Sequence, residues 1–297
     1  MVDGFAAALR QRGNALLLDG GMSNQLESQG NDLTDALWSA RLLADDPDQI
    51  LRTHAAYAAA GADVAITASY QASFQGFEKA GIDRAAAEAL LRRSVVLARD
   101  AGSRFVAASI GPYGAVLADG SEYRGRYGLT KRELTDFHRP RAEVLASAGP
   151  DVLAIETVPD ADEAEAVLDA VAGLGVPVWL SYSTANGRTR AGQPLAEAFA
   201  LARGNDQVLA VGVNCLAPEE ATDAVALAAE VTGKPVVVYP NSGEGWDAEA
   251  RSWTGPATFD AARVGAWVAA GARLVGGCCR VGPDQIRELA LVLRTAS

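Results

Sequence analysis

AGADVAI (60–66), AGPDVLAI (148–155) and AGARLVGG (270–277) repeat one short pattern, a glycine followed closely by an apolar run. Glycine accepts the left-handed conformation that ends a helix, so each fragment reads as a helix stop feeding a strand. Working outward, eight apolar runs have a glycine just before them: ALLLD (15–19), VAITAS (64–69), FVAASI (105–110), VLAIE (152–156), VWLSYS (178–183), LAVGVN (209–214), VVVYP (236–240) and LVGG (274–277). The glycines are Gly13, Gly61, Gly102, Gly149, Gly175, Gly204, Gly233 and Gly271. VLAIE and VVVYP lack clean period-two alternation, which fits strands buried on both faces of a parallel sheet.

Alanine-rich segments with helical spacing lie between the runs. In 46–60, Asp46 is placed to cap and Pro47 to open a helix. In 85–101 an apolar stripe runs through Ala87, Leu90, Leu91, Ser94, Val95 and Ala98. Further helices are expected near 131–148, 160–173, 194–203, 217–232, 257–270 and 283–295. Eight β units alternating with helices close most simply into a (β/α)8 TIM barrel, read here as a single domain over 1–297. An open doubly wound sheet would want a Gly-x-Gly-x-x-Gly turn after a strand, and no strand end carries one. The loops after strands 3 and 7 are long.

Composition narrows the function. Hydrophobic residues make up 49% and charged residues 21%, an ordinary globular balance. The net charge of −11 disfavours nucleic acid as a partner. No run reaches the ~18 apolar residues of a membrane span, and the N-terminus makes a poor signal peptide. Three cysteines, an odd number, with no sign of export suggest free thiols in the cytoplasm. Two histidines, His54 and His138, cannot build a His-rich metal site; both read as structural.

Chemistry in a TIM barrel sits at the C-terminal ends of the strands. There the sequence places Cys215 after strand 6 and Cys278 and Cys279 after strand 8, flanking strand 7. Three thiolates converging there suit a tetrahedral Zn2+ with one open position. Buried free cysteines are the bland alternative, weaker when all three share one rim. Gly276 and Gly277 before the pair permit close backbone approach or tight packing. Asp19 and Glu156 end strands 1 and 4, expected across the mouth from the cysteines. They read as an ammonium site, an acid–base pair or a rim salt bridge. Backbone amides at Gly20, Gly21 and Met22 offer a carboxylate contact. An ammonium site beside a carboxylate site describes an α-amino acid pocket. Trp38, Tyr70, Phe74 and Phe77 follow strands 1 and 2. The two long loops bring Tyr113, Tyr123, Tyr127, Trp246 and Trp253.

The stretches LDGGMSNQLE (18–27), LWSARLL (37–43), ITASYQAS (66–73), SIGPYGAVLADGSEYRGRY (109–127), FHRPR (137–141), IETVPD (155–160), GVNC (212–215), VVYPNSGE (237–244) and GARLVGGCCR (271–280) carry a resemblance. The chain resembles the homocysteine S-methyltransferase family over about residues 15–295. The resemblance implies that Cys215, Cys278 and Cys279 hold zinc and that homocysteine sulfur takes the open position. It implies Asp19 and Glu156 as amino-group ligands, and Gly21 and Met22 as the carboxylate contact. Trp38, Thr67, Ser69 and Asn214 fall where the family lines its pocket. The 109–127 loop is similar to the branch using S-methylmethionine or S-adenosylmethionine. The betaine-using branch has a tyrosine after the equivalent glutamate; here Thr157 stands there.

The expected activity is zinc-dependent methyl transfer from a methylsulfonium, S-methylmethionine preferred, to homocysteine; the aromatic faces of the long loops read either as holding the cation or as simple packing of the loops over the barrel. Both partners are small molecules; the sequence points to no particular oligomeric state. A betaine-type enzyme is one rival. A glycoside hydrolase using Asp19 and Glu156 leaves the cysteines without a role. A Schiff-base aldolase lacks a rim lysine, and a non-enzymatic zinc protein would normally supply four ligands.

Overall fold

Leu16 and Leu17, at the start of the chain, pair in parallel with Leu274 and Val275, near its end, and this pairing makes the sheet a barrel. The computed structural model describes residues 2–11, 15–33, 39–247 and 252–295. Its eight parallel strands are β1 (Leu16–Leu17), β2 (Val64–Ile66), β3 (Phe105–Ile110), β4 (Val152–Val158), β5 (Val178–Ala185), β6 (Val208–Asn214), β7 (Val236–Tyr239) and β8 (Ala272–Val275). Around the ring they run β1-β8-β7-β6-β5-β4-β3-β2. A parallel bridge from Leu18 to Val64 closes the circle, with the Asp19 amide donating to the Val64 carbonyl at 3.1 Å. The (β/α)8 barrel expected from the glycine-stop repeat is the fold found.

The inward and outward faces of the strands form two separate apolar clusters. Leu16, Leu18, Val64, Phe105, Ala107, Val152, Ala154, Trp179, Ala210, Val237 and Leu274 fill the bore. Their alternate neighbours, among them Leu17, Val106, Leu153, Ile155, Leu180, Val211, Val238 and Val275, face the helices. Burial on both sides is why the runs show no polar–apolar alternation. The helix Val2–Arg10 plugs the N-terminal end of the bore with Phe5, Ala8 and Leu9; Phe5 meets Phe105 edge to face at 5.3 Å.

The helix Arg84–Asp100 buries Ala87, Leu90, Leu91, Ser94, Val95 and Ala98, the stripe expected from spacing. Pro47 opens the helix Pro47–Ala60, but Asp46 makes no side-chain cap bond. Gly61 ends that helix at φ 107°, left-handed, where a β-carbon would lie 3.1 Å from that of Ala290. The other glycines marked as stops after a helix also have positive φ, while Gly13 lies outside the described residues. The long loop after β3 holds the short helix Tyr113–Leu117 and the turn Ser121–Tyr123. The one after β7 holds an antiparallel hairpin, Gly245–Asp247 with Ser252–Thr254. Among the described residues no helix is long and apolar enough to cross a membrane.

Candidate active site

Three successive residues at the end of β7 hold the backbones of all three cysteines. The Cys215 amide donates to the Tyr239 carbonyl at 3.3 Å, and the Cys278 amide to the Pro240 carbonyl at 2.8 Å. The Cys279 amide donates to Asn241 Oδ1 at 3.1 Å. Cys215 comes from the end of β6 and the pair from the end of β8, so β7 clamps them from between. Their sulfurs all lie within 4.8 Å of one another. Cys215 and Cys278 face each other most closely, with Cα atoms 5.7 Å apart, and Cys279 completes the cluster. The flanking strands aim those two sulfurs at each other, a proximity that separation by 63 residues hides in the sequence.

Gly276 and Gly277 are there for packing. A β-carbon on Gly276 would stand 2.7 Å from Leu18 Cβ and 2.8 Å from the Asp19 carbonyl, and one on Gly277 would strike the Val281 side chain. These contacts exist because β8 neighbours β1. Asp19 accordingly lies beside the Cys278 strand, its carbonyl accepting from the Gly277 amide at 3.2 Å, rather than across the mouth as expected. In a closed ring the first and last strands are adjacent. Glu156, on β4, does lie on the far side.

Both carboxylates are buried. Asp19 accepts from the Ile66 amide through Oδ2 at 2.8 Å, while its buried Oδ1 has no partner among the described residues. Burial, with a contribution from Glu156, holds its pKa well above the usual range. Glu156 accepts from the Ser109 hydroxyl and, at 2.9 Å, from the Tyr239 phenol. Burial pushes its pKa up to about 7 against those two hydrogen bonds. Two carboxyls so placed, one with an open acceptor, suit an ammonium group that supplies the missing charge and donors.

The polar residues around them act largely through one another. Thr67 Oγ1 accepts from the Ser109 amide at 3.0 Å and meets Ser69 Oγ at 2.7 Å; Ser69 donates to the Ser109 carbonyl at 2.8 Å. Thr67 and Ser69 therefore fix Ser109, which binds Glu156. Asn214 Oδ1 accepts from the Thr157 amide at 2.8 Å and the Ser181 hydroxyl at 2.7 Å. Its Nδ2 donates to Thr157 Oγ1 at 2.7 Å and reaches Cys215 Sγ at 3.5 Å. Thr157, Cys215 and Arg280 all have positive φ, at 57°, 51° and 64°. A left-handed β-branched residue costs about 1–3 kcal/mol and persists only where its surroundings over-determine it. Here the Asn214 amide does that for Thr157, bending β4 so that its register with β5 shifts after Ile155.

Other expected site residues divide. The helix Met22–Ser28 begins as anticipated, but the Gly21 amide already donates to the Val281 carbonyl at 2.9 Å, so of the two amides expected to contact a carboxylate only that of Met22 is left for it. Trp38 lies outside the described residues, as do the side chains of Trp246 and Trp253. Phe77 is core and Phe74 stacks under Arg84 at 4.4 Å. Tyr123 lies beside the sulfurs: the charge of Cys279 and burial raise its pKa, and its phenol hydrogen-bonds the thiol. Tyr70 reaches toward Thr157 on the same side.

A buried polar group under the β3 loop went unread in the sequence. Arg141 donates to the carbonyls of Gly111 and Ala72 and, at 2.7 Å, to His138 Nδ1. Accepting there, the neutral ring carries its proton on Nε2 and donates it to Glu163 at 3.0 Å. Glu163 also accepts from the Tyr113 amide at 2.6 Å. His138 is thus structural, as expected, but as a strut of this loop. His54 is wholly buried, with burial lowering its pKa to about 4.

Fold and site together define a (β/α)8-barrel protein with a metal-capable thiol triad and buried carboxylates at its C-terminal mouth. The sequence profile of the Homocysteine S-methyltransferase family matches residues 16–293. Homocysteine S-methyltransferase 4 of Zea mays is 44% identical, over 97% of this chain and 92% of that protein. The Escherichia coli homocysteine S-methyltransferase is 44% identical, over 95% of this chain and 96% of its own. The crystal structure of the homocysteine methyltransferase MmuM from Escherichia coli in its metallated form matches with a TM-score of 0.86 and 42% identity, covering 96% of this chain and 99% of that one. Its oxidised form matches with the same score at 43% identity, covering 96% and 98%. The chain belongs to the homocysteine S-methyltransferase family.

Proposed function

We propose that the chain is a Zn2+-dependent homocysteine S-methyltransferase that takes its methyl group from a methylsulfonium, S-methylmethionine in preference to S-adenosylmethionine. The observation that carries this reading is the convergence of three cysteine sulfurs at the barrel mouth that also holds Asp19 and Glu156. Three sulfurs within 4.8 Å of one another are close enough to share one ion. Cys215, Cys278 and Cys279 would hold Zn2+ as an all-thiolate donor set suited to this borderline-soft ion. Bound there, it would supply the Lewis acidity that stabilises the substrate as a thiolate.

The chain's own residues do the rest. Asp19 Oδ1 and Glu156 bind the homocysteine ammonium group, and the Met22 amide its carboxylate. Thr67 and Ser69 hold Ser109, and through it the Glu156 carboxylate. Asn214 fixes Cys215 and Thr157. The homocysteine thiol loses its proton to solvent and its sulfur attacks the sulfonium methyl in line. The old S–CH3 bond breaks, its electron pair stays on the departing thioether, and methionine forms. With S-methylmethionine both products are methionine. Orientation supplies most of the rate, since effective molarities of about 10⁵ M or more are available to aligned groups.

A parallel assay with homocysteine and S-methylmethionine, S-adenosylmethionine or betaine tests the donor. The expected order is S-methylmethionine first, S-adenosylmethionine slower, betaine inactive. Betaine turnover equal to that of S-methylmethionine would overturn the donor assignment. Full activity of zinc-free protein would overturn the metal.

A further inference from the structure

Glu122 is a buried carboxylate held by its own backbone amide, with one oxygen, Oε2, unpartnered among the described residues. It is 4% exposed. Its neighbours are otherwise engaged. Arg124 binds Ser121 Oγ at 2.8 Å, and Asp119 accepts from the Ser121 amide at 2.9 Å. Asp119 repels the Glu122 charge, and burial raises the Glu122 pKa further than Asp119 does. The carboxylate is nevertheless firmly placed. A β-carbon on Gly114 would stand 2.5 Å from the Glu122 amide nitrogen and 2.7 Å from the Tyr127 hydroxyl, so the turn sits directly on that glycine.

The turn that carries it lies beside the sulfurs: its neighbour Tyr123 hydrogen-bonds the Cys279 thiol, and the Tyr127 hydroxyl packs on the same Gly114. Glu122 therefore stands on the loop beside the sulfurs, while Asp19 and Glu156 stand on the strands. A buried acceptor without a donor is costly unless a bound group completes it. Its surroundings are aromatic rings and anionic groups that favour a cation, and Arg190 already stands over the Tyr123 ring at 5.5 Å. A sulfonium has no N–H to donate, whereas an α-ammonium group has three.

We propose that Glu122 binds the ammonium group of the methyl donor, making the Ser121–Tyr123 turn a second amino-acid station opposite the one for homocysteine. This rests on the reading of the donor as a sulfonium amino acid. It also gives a reason for rejecting betaine, whose carboxylate Glu122 repels and whose nitrogen has no hydrogen to offer.

The test compares zinc-loaded wild type with Glu122→Gln and Glu122→Asp on two donors. One is S-methylmethionine; the other is trimethylsulfonium, which lacks the amino acid group. The Gln variant should raise KM for S-methylmethionine about 10-fold or more, the scale of a charge-assisted hydrogen bond. KM for homocysteine and kcat/KM for trimethylsulfonium should stay within about twofold of wild type, a pattern that loop misfolding does not give. The Asp variant should recover part of the loss. Equal losses on both donors, or an unchanged KM for S-methylmethionine in the Gln variant, overturn the proposal. Wild type that fails to use S-methylmethionine at all sinks the donor reading itself, and the proposal with it.

Discussion

Asn214 spends every polar atom of its side chain on two neighbouring bends, those of Thr157 and Cys215. Asn214→Ala should leave the Thr157 amide and the Ser181 hydroxyl unpaired in the core, costing about 2–4 kcal/mol in urea unfolding. Zinc affinity should fall about 10–100-fold, the effect of losing an outer partner of a metal ligand. Glu156 makes a prediction in pH. Its carboxyl is pushed up from 4.5 to about 7, so between those values the folded chain holds a proton that the unfolded chain has released. That contribution is fully present below about 4.5 and is lost as pH rises through about 7. Glu156→Gln removes the titration, so its Tm relative to wild type should climb from pH 5 to pH 8, with homocysteine binding weaker by about 1.5–3 kcal/mol. A flat difference between the two melting profiles would contradict the assignment. Thiol titration checks the sulfurs: three reactive thiols in the metal-free protein, all three protected when about one zinc is bound.

The β3 loop is held by charges that sit under it. Arg141→Met keeps volume but leaves Glu163 buried without its cation, and should cost about 3–5 kcal/mol. Adding Glu163→Leu should restore part of that loss, giving a double-mutant coupling of about 1 kcal/mol or more. Additive losses would mean the two do not act as a pair. Elements like these were legible in the sequence to different degrees. The Arg84–Asp100 stripe could be read from spacing because one face meets the barrel and the other meets water. The strands announced themselves as apolar runs, yet which residues face the bore was hidden by burial on both sides. The alternation was still there: Ser109, Glu156, Ser181, Asn214 and Tyr239 continue the inward series begun by Phe105, Val152, Trp179, Ala210 and Val237. Counting by twos from the apolar positions would have found Ser109 and Tyr239. Arg141 and Glu163 gave no such signal, because a charged residue in a helical segment reads as solvent-facing until the loop above it is placed.

At the scale of the molecule, the barrel has a chemical end and a structural end. Phe5 closes the latter, wholly buried against Phe105. Phe5→Ala should cost about 3–5 kcal/mol in stability, while kcat and both KM values of the folded fraction stay near wild type. A large kcat loss would show that the two ends are coupled. The thiol triad and the barrel class were readable from strand order alone. The place of Asp19 beside β8 was not, because it depends on how the ring closes.

Ring closure also sets a timetable. β1 finds one of its two neighbours only in residues 274–275, and two of the three sulfurs follow at 278 and 279. A chain growing from the ribosome thus carries an open seam and a lone Cys215 until its final helix is being made. Contacts so distant along the chain form late and slowly. Any metal that the three sulfurs hold can therefore load only after β8 is made, and a nascent chain stalled before β8 exposes a bare strand edge with a single cysteine.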